Sequence, residues 1–284
     1  MSSHTIRRFK DWLVTGLGMG CVVLAMIPLI SILLEVVRNG LPALSLEFLT
    51  SSPGVIGEAG GGIANAIQGT LILIALTCLI GVPLGVLGGI YLAEFGNNQL
   101  GRTLRFLNDV LTEFPSIVVG ILAYLLVVLA IGSFSAIAGA IALSIIMIPI
   151  VTRTTEESIK VVPTTIRDAA MALGIRRWRA TLSVVLSTAR SGVVTGVLLS
   201  IARIAGETAP LILTILGSQL FFSGLDRPMD ALPLRIWRLA LLPYNYAREQ
   251  GWGAALVLIL IVLSLNVIVR LATRGRLGMM RSRV

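Results

Sequence analysis

Residues 114–152 read "FPSIVVGILAYLLVVLAIGSFSAIAGAIALSIIMIPIVT" and contain no charged side chain. A helix crosses the hydrocarbon of a bilayer with about 20 mostly apolar residues, so this run is too long for one pass and is read as two. The stretch "AIGSFSA" (130–136) turns the chain between them, because Gly132, Ser133 and Ser135 interrupt the apolar pattern with small and polar residues.

The rest of the chain extends the same reading. Of its 284 residues 56% are hydrophobic and only 13% charged, with a mean hydropathy of +0.93, which excludes an ordinary soluble domain. "WLVTGLGMGCVVLAMIPLISILL" fills the interval between Asp11 and Glu35, and the dense part of the interval between Glu58 and Glu94 runs over 67–93. Further crossings are expected at about 193–216 and in "GWGAALVLILIVLSLNVIV" (251–269). The expectation is an all-α polytopic membrane protein with six transmembrane helices and both termini on one side. Its organisation would be an N-terminal segment 1–11, a membrane domain 12–270 containing a loop 153–190, and a basic C-terminal segment 271–284.

Short cytoplasmic loops carry excess Lys and Arg. With the N-terminus inside, 17 of the 23 basic residues fall on the cytoplasmic side, including Arg102, Arg105, Arg153, Lys160, Arg167 and Arg177. Five fall outside: Arg38, Arg227, Arg235, Arg238 and Arg248; Arg203 lies within a span. The net charge of +9 is thus a topology signal and requires no nucleic-acid partner. The first apolar stretch is long and lacks a clear small-residue cleavage site, so a cleaved signal peptide is not expected.

Cys21 and Cys78 both lie in spans and form no metal or redox pattern, which favours small-residue packing. His4 is the only histidine and sits in the N-terminal segment, which argues against a histidine-dependent active site or metal. "GVPLGVLGG" (81–89) places small residues four apart, where helix backbones can approach closely. Pro28, Pro83 and Pro149 fall within or near the ends of spans, where packed membrane helices tolerate them.

Within the largest loop, "VPTTIRDAAMALGIRRW" (162–178) sets Thr165 three residues before Asp168, a capping-box spacing, and Gly174 at a helix stop. The short helix between them has Ile166, Ala169 or Ala170, and Leu173 on its apolar side. A helix this short is marginal in water. It is either a connector packed on its own chain or a knob that docks on another subunit, and periodicity alone leans toward the connector.

The residues "DAAMALG" resemble the coupling loop of ABC-importer permeases, whose pattern is Glu-Ala-Ala, three variable residues and Gly. Asp168, Ala169, Ala170 and Gly174 match its positions, with Asp in place of Glu; Leu186-Ser187 stands where the family often has Leu-Pro. "GGIANAIQGTLILIALTCLIGVPLGVLGGIYLAEF", "FPSIVVGILAY", "MIPIVTRTTEESIKVVP" and "ARIAGETAPLILT" follow in the order seen in phosphate-specific permeases of the PstA type. The resemblance covers 60–216 closely and continues through "MDALPLRIW" and the last span.

The resemblance implies a type I ABC-importer permease fold, phosphate as substrate, and a bacterial cytoplasmic (inner) membrane location surrounded by lipid. It also implies a second permease (PstC type), an ATPase dimer (PstB type) and an external phosphate-binding protein (PstS type). The chain has no Gly-x-x-x-x-Gly-Lys-[Ser/Thr] loop, and neither of its lysines, Lys10 and Lys160, follows glycine. No cofactor is therefore expected on this chain, and ATP and Mg belong to the partner ATPase.

In "ARIAGETAPL" (202–211), Arg203 and Glu207 share a helix face inside a span, where each ionised side chain costs on the order of 2.5–3.5 kcal/mol on insertion scales. A structural ion pair and a polar step of the substrate pathway both fit; intramembrane charges and the resemblance favour the pathway. Arg203 would attract phosphate through its planar donors, Glu207 would position it or limit the hold, and Thr208 and Ser116 are further pathway candidates. The 221–250 segment reads as an interfacial anchor or a contact for the external protein. A permease for molybdate or sulfate is the nearest alternative, and a membrane enzyme using Glu207 with a hydroxyl nucleophile is a more distant one.

Overall fold

The computed structural model describes residues 3–55 and 60–281. Glu58 and Arg283 lie outside the described residues, as do the side chains of His4, Arg274, Arg276 and Arg281. The architecture is helical throughout. In chain order the helices are α1 (Ser3–Gly40), α2 (Leu46–Thr50), α3 (Ala64–Glu94), α4 (Gln99–Glu113), α5 (Ser116–Ala123), α6 (Leu129–Ile131), α7 (Ala136–Lys160), α8 (Thr164–Ala172), α9 (Arg177–Ala180), α10 (Leu186–Ala205), α11 (Ala209–Thr214), α12 (Leu232–Leu241) and α13 (Asn245–Arg281). Single π-helical turns, Tyr124–Val128 and Thr181–Val185, join α5 to α6 and α9 to α10.

Among the described residues, five continuous stretches are long and apolar enough to cross a membrane: Lys10–Gly40, Ala64–Glu94, Ala136–Lys160, Arg177–Ala205 and Asn245–Ala272. The pair Gln99–Glu113 and Ser116–Ile131, bent by 106° at Phe114-Pro115, adds a sixth when counted as one broken span. Not all of these stretches lie where the apolar runs suggest. α4 was expected in a loop because Arg102, Arg105, Asp109 and Glu113 break its apolar run. Its amphipathic pattern makes it a helix nonetheless, and Pro115 forces the bend by excluding a helical partner on its N-terminal side. Helix also continues past the boundaries read from the apolar runs: α1 passes position 11 without a break, and within 153–190 α7 reaches Lys160 and α9 starts at Arg177.

The hairpin at 130–136 forms as read. Gly132 takes a left-handed conformation (φ 77°), and Ser135 caps α7 by accepting from the Ala138 N–H at 3.2 Å. Two more amides at the start of α7, on Ala136 and Ile137, donate to the carbonyls of Arg227 and Leu225.

The glycine stripe sets the central packing. A Cβ on Gly81, Gly85 or Gly89 would meet Met147, Val151 or Thr155 at 3.0, 2.7 and 2.5 Å. The contacts advance together along both chains, so α3 and α7 lie side by side and parallel, as two spans separated by one other must. Gly192 and Gly196 meet Ser158 and Thr154 in reversed order, so α10 packs antiparallel to α7. The main core gathers Leu73, Leu143, Met147, Val151, Ile204 and Leu211 around this seam, with half-buried Cys78 against it. Cys21 is instead exposed on α1, whose 10–35 stretch is exposed within this chain, so small-residue packing within the chain holds for one cysteine only.

At the end of α3 opposite α8, the irregular 215–231 segment is pinned by polar contacts. The Thr70 hydroxyl accepts from the Leu232 N–H at 2.8 Å, and Asn65 Nδ2 donates to the Ser218 carbonyl at 2.7 Å. Asp230 and Arg235 form a buried ion pair there. Burial raises the Asp230 carboxyl above its ordinary range, with the Arg235 guanidinium pulling the other way. α12 buries Leu232, Leu234 and Leu239, so this segment is a packed element of the fold and more than a surface anchor.

Candidate functional site

The helix carrying Arg203 ends earlier than the apolar run suggests. α10 stops at Ala205, Gly206 and Glu207 close a turn by donating to the Arg203 and Ile204 carbonyls at 3.2 Å each, and a new helix begins at Ala209 with Pro210 in its first turn. Proline suits that place because its missing N–H has no partner in a first turn. The span expected over 193–216 is therefore a helix over 177–205 followed by a break. Arg203 occupies a last helical turn and Glu207 lies beyond it. Arg203 Nε and Glu207 Oε1 are 3.8 Å apart, too far for a hydrogen bond, with the arginine side chain 50% exposed and the glutamate 15%.

Arg203 opens onto a cavity of about 580 Å³. Asp109, Thr112 and Glu113 of α4, Pro149, Ile150, Arg153 and Thr154 of α7, and Leu199 of α10 complete its lining. Arg153 reaches Glu157 at 2.6 Å and Asp109 at 3.5 Å. The Asn108 amide donates to the Pro149 carbonyl at 3.2 Å and holds α4 against α7. Two guanidinium groups and two carboxylates thus converge on one open hollow. Of the four residues picked from the sequence for a pathway, Arg203 lines it. Glu207, Thr208 and Ser116 do not: the first two belong to the break after α10, and Ser116 starts α5, which packs on α11 where Gly120 faces the Pro210 backbone. Asp109, Glu113 and Arg153 were missed because they looked like ordinary loop and span-end charges. The signal that could have found them is the i,i+4 spacing of the two carboxylates on one face of α4.

The loop helix α8 begins one residue before the expected cap. Pro163 is its N-cap and makes no side-chain capping bond, so the capping box at Thr165 does not form. The stop is as read: Gly174 has φ 77°, its N–H donates to the Met171 carbonyl at 2.9 Å, and the Ile175 N–H donates to the Ala170 carbonyl at 3.3 Å. This pair of bonds is a Schellman motif. Ala170 is buried and Ile166 half-buried, whereas Asp168, Ala169 and Leu173 face outward, Leu173 with 82% of its surface exposed. Leu173 thus leaves the packed side to which its spacing assigned it, because the helix ends at Ala172 and the chain turns away at Gly174. With Trp178 and Leu182 it borders an open hollow of about 590 Å³. The departure at Leu186-Ser187 follows a π-helical turn, through which α9 passes unbroken into α10.

Five unbroken apolar spans and a bent helix pair, a charged cavity beside the chain breaks, and an outward-facing loop helix are the features of an importer permease. Residues 85–275 match the family described as binding-protein-dependent transport system inner membrane component. The chain is 43% identical over 93% of its length to the phosphate transport system permease protein PstA of Yersinia pestis, covering 90% of that relative. It is 38% identical over 95% of its length to the probable phosphate transport system permease protein PstA of Methanocaldococcus jannaschii, covering 96%. The chain belongs to the PstA family of permeases. Among solved structures it resembles chains of the bacterial alginate ABC transporter in complex with alginate pentasaccharide-bound periplasmic protein (TM-score 0.65, 16% identity, 93% of this chain and 96% of that one). It also resembles those of the inward-facing MetNI methionine ABC transporter (TM-score 0.59, 18% identity, 75% and 94%). The fold is that of a type I ABC-importer permease. Such a multi-pass membrane subunit works with an ATPase, a second permease and a substrate-binding protein.

Proposed function

We propose that this chain forms half of a phosphate pathway across the bacterial cytoplasmic membrane, the other half coming from a second permease of the PstC type. A PstB-type ATPase dimer, which holds the ATP and Mg, would engage α8 through its outward residues Asp168, Ala169 and Gly174, with Ala170 seating the helix on its own chain. A PstS-type protein would deliver phosphate at the opposite end, where the 221–250 segment lies, and both termini would be cytoplasmic.

The observation that carries this reading is the cavity shared by Arg153 and Arg203, since guanidinium forks match phosphate oxygens. Asp109 and Glu113 on the same wall offset that attraction, so that an anion is drawn in and released. Glu207, off the helix end, acts on Arg203 through a loose contact and sets its reach into the hollow. Thr208 and Ser116 flank the path at the two chain breaks.

The reading is tested by reconstituting the two permeases, the ATPase and the binding protein in liposomes. ATP hydrolysis and uptake should be stimulated by phosphate-loaded binding protein, and sulfate or molybdate should not substitute. Equal stimulation by either of those anions would overturn the assignment of substrate.

A further inference from the structure

We propose that Glu94 is the positioning residue through which movement of α8 reaches the membrane helices, with Arg167 as its partner. Glu94 is the last residue of α3, and its side chain is only 4% exposed. Its carboxylate accepts from Arg167 Nε at 2.7 Å. The other two nitrogens of the same guanidinium donate to the Val162 and Ile159 carbonyls, at 2.7 and 2.9 Å, where α7 ends. Arg177, which opens α9, donates to the Glu94 carbonyl and lays its guanidinium 5.1 Å from the centre of the Phe95 ring. One buried ion pair thus joins α8 to the ends of α3 and α7 and to the start of α9.

α8 packs on α9 and the following π-helical turn, and it reaches the ends of α3 and α7 through this pair and through Ile166, which packs against the apolar cluster of Ile90, Ile159 and Val162. α3 and α7 are in turn locked to each other along the glycine stripe, and α7 carries Arg153 at the polar cavity. A push on α8 therefore reaches the cavity through Arg167, Glu94 and the α3–α7 seam. A buried pair suits such a link, because separating its charges leaves an uncompensated carboxylate and makes the joint stiff.

This inference rests on α8 being the surface that receives the ATPase, so its test has two arms. Reconstituted complexes carrying Glu94→Ala, Glu94→Gln, Arg167→Ala or Arg167→Lys are assayed for phosphate transported per ATP hydrolysed, and a cysteine at Leu173 is cross-linked to the ATPase in each. The expected result is a cross-link in all and a phosphate-to-ATP ratio lowered about tenfold in the alanine variants, in the range that changes in a coupling element produce. Glu94→Gln and Arg167→Lys should fall in between, since each keeps one hydrogen bond of the node; they also carry the test where an alanine variant does not assemble. An unchanged ratio beside a normal cross-link overturns the role of Glu94 alone. Absence of the cross-link from the otherwise unaltered complex overturns the docking of α8 as well.

Discussion

Arg203 is the residue on which the proposed phosphate pathway turns, and its exposure to the cavity makes its expected behaviour specific. Arg203→Ala and Arg153→Ala should each abolish phosphate uptake while the complex still assembles, because neither side chain is part of the packed core. Arg203→Lys should retain partial uptake, keeping the charge but losing the planar fork. Glu207→Gln should slow turnover less, given its 3.8 Å separation from Arg203. The exchange Arg203→Glu with Glu207→Arg should fail, because position 207 lies past the helix end and does not open onto the cavity. Uptake in membrane vesicles, normalised to assembled complex, measures all five, and near-normal uptake by Arg203→Ala would remove the residue from the pathway. Arg203 stands out in the sequence through the cost of a charge in a span. The break that takes Glu207 off that helix does not, because helix continuity across Gly206 depends on neighbours, here α5 packed against α11.

Two elements carry the working geometry, the α3–α7 seam and α8. Gly89→Leu should destabilise the permease by about 1–3 kcal/mol, the usual range for overpacking, because its Cβ would fall 2.5 Å from that of Thr155. Reduced thermal stability of the purified complex would register this, and an unchanged melting temperature would mean that the seam can spread. Ala170→Trp should displace α8 and uncouple transport, since Ala170 is the helix's one fully buried residue. Gly174→Val should act similarly through the left-handed backbone, which costs about 1–2 kcal/mol for a residue with a Cβ. Leu173→Asp should leave the fold intact and weaken ATPase retention during purification; full retention would place the docking surface elsewhere. The seam was legible as a four-residue glycine spacing and α8 as a short helix stopped at Gly174, though without the N-terminal capping box its sequence suggests. The partners of the seam were not, because packing against Met147, Val151 and Thr155 depends on how two distant spans are set side by side.

For the whole molecule, the basic bias predicts the orientation, and exposed positions make it measurable. A cysteine at Arg227 should react with an impermeant thiol reagent added outside intact cells, whereas one at Trp178 should react only after permeabilisation; the opposite pattern would invert the topology. By itself the sequence determined the all-helical membrane-spanning class, the turn at Gly132–Ser135 and the stop at Gly174, because the length of an apolar run and the backbone freedom of a turn residue are local properties. Only the tertiary structure decided where spans bend or break, which charges share the cavity, and that Glu94 meets Arg167 across 73 residues. Those outcomes depend on which helices touch. A buried charge is tolerable only where another part of the chain supplies its partner, and no local pattern says which part that is.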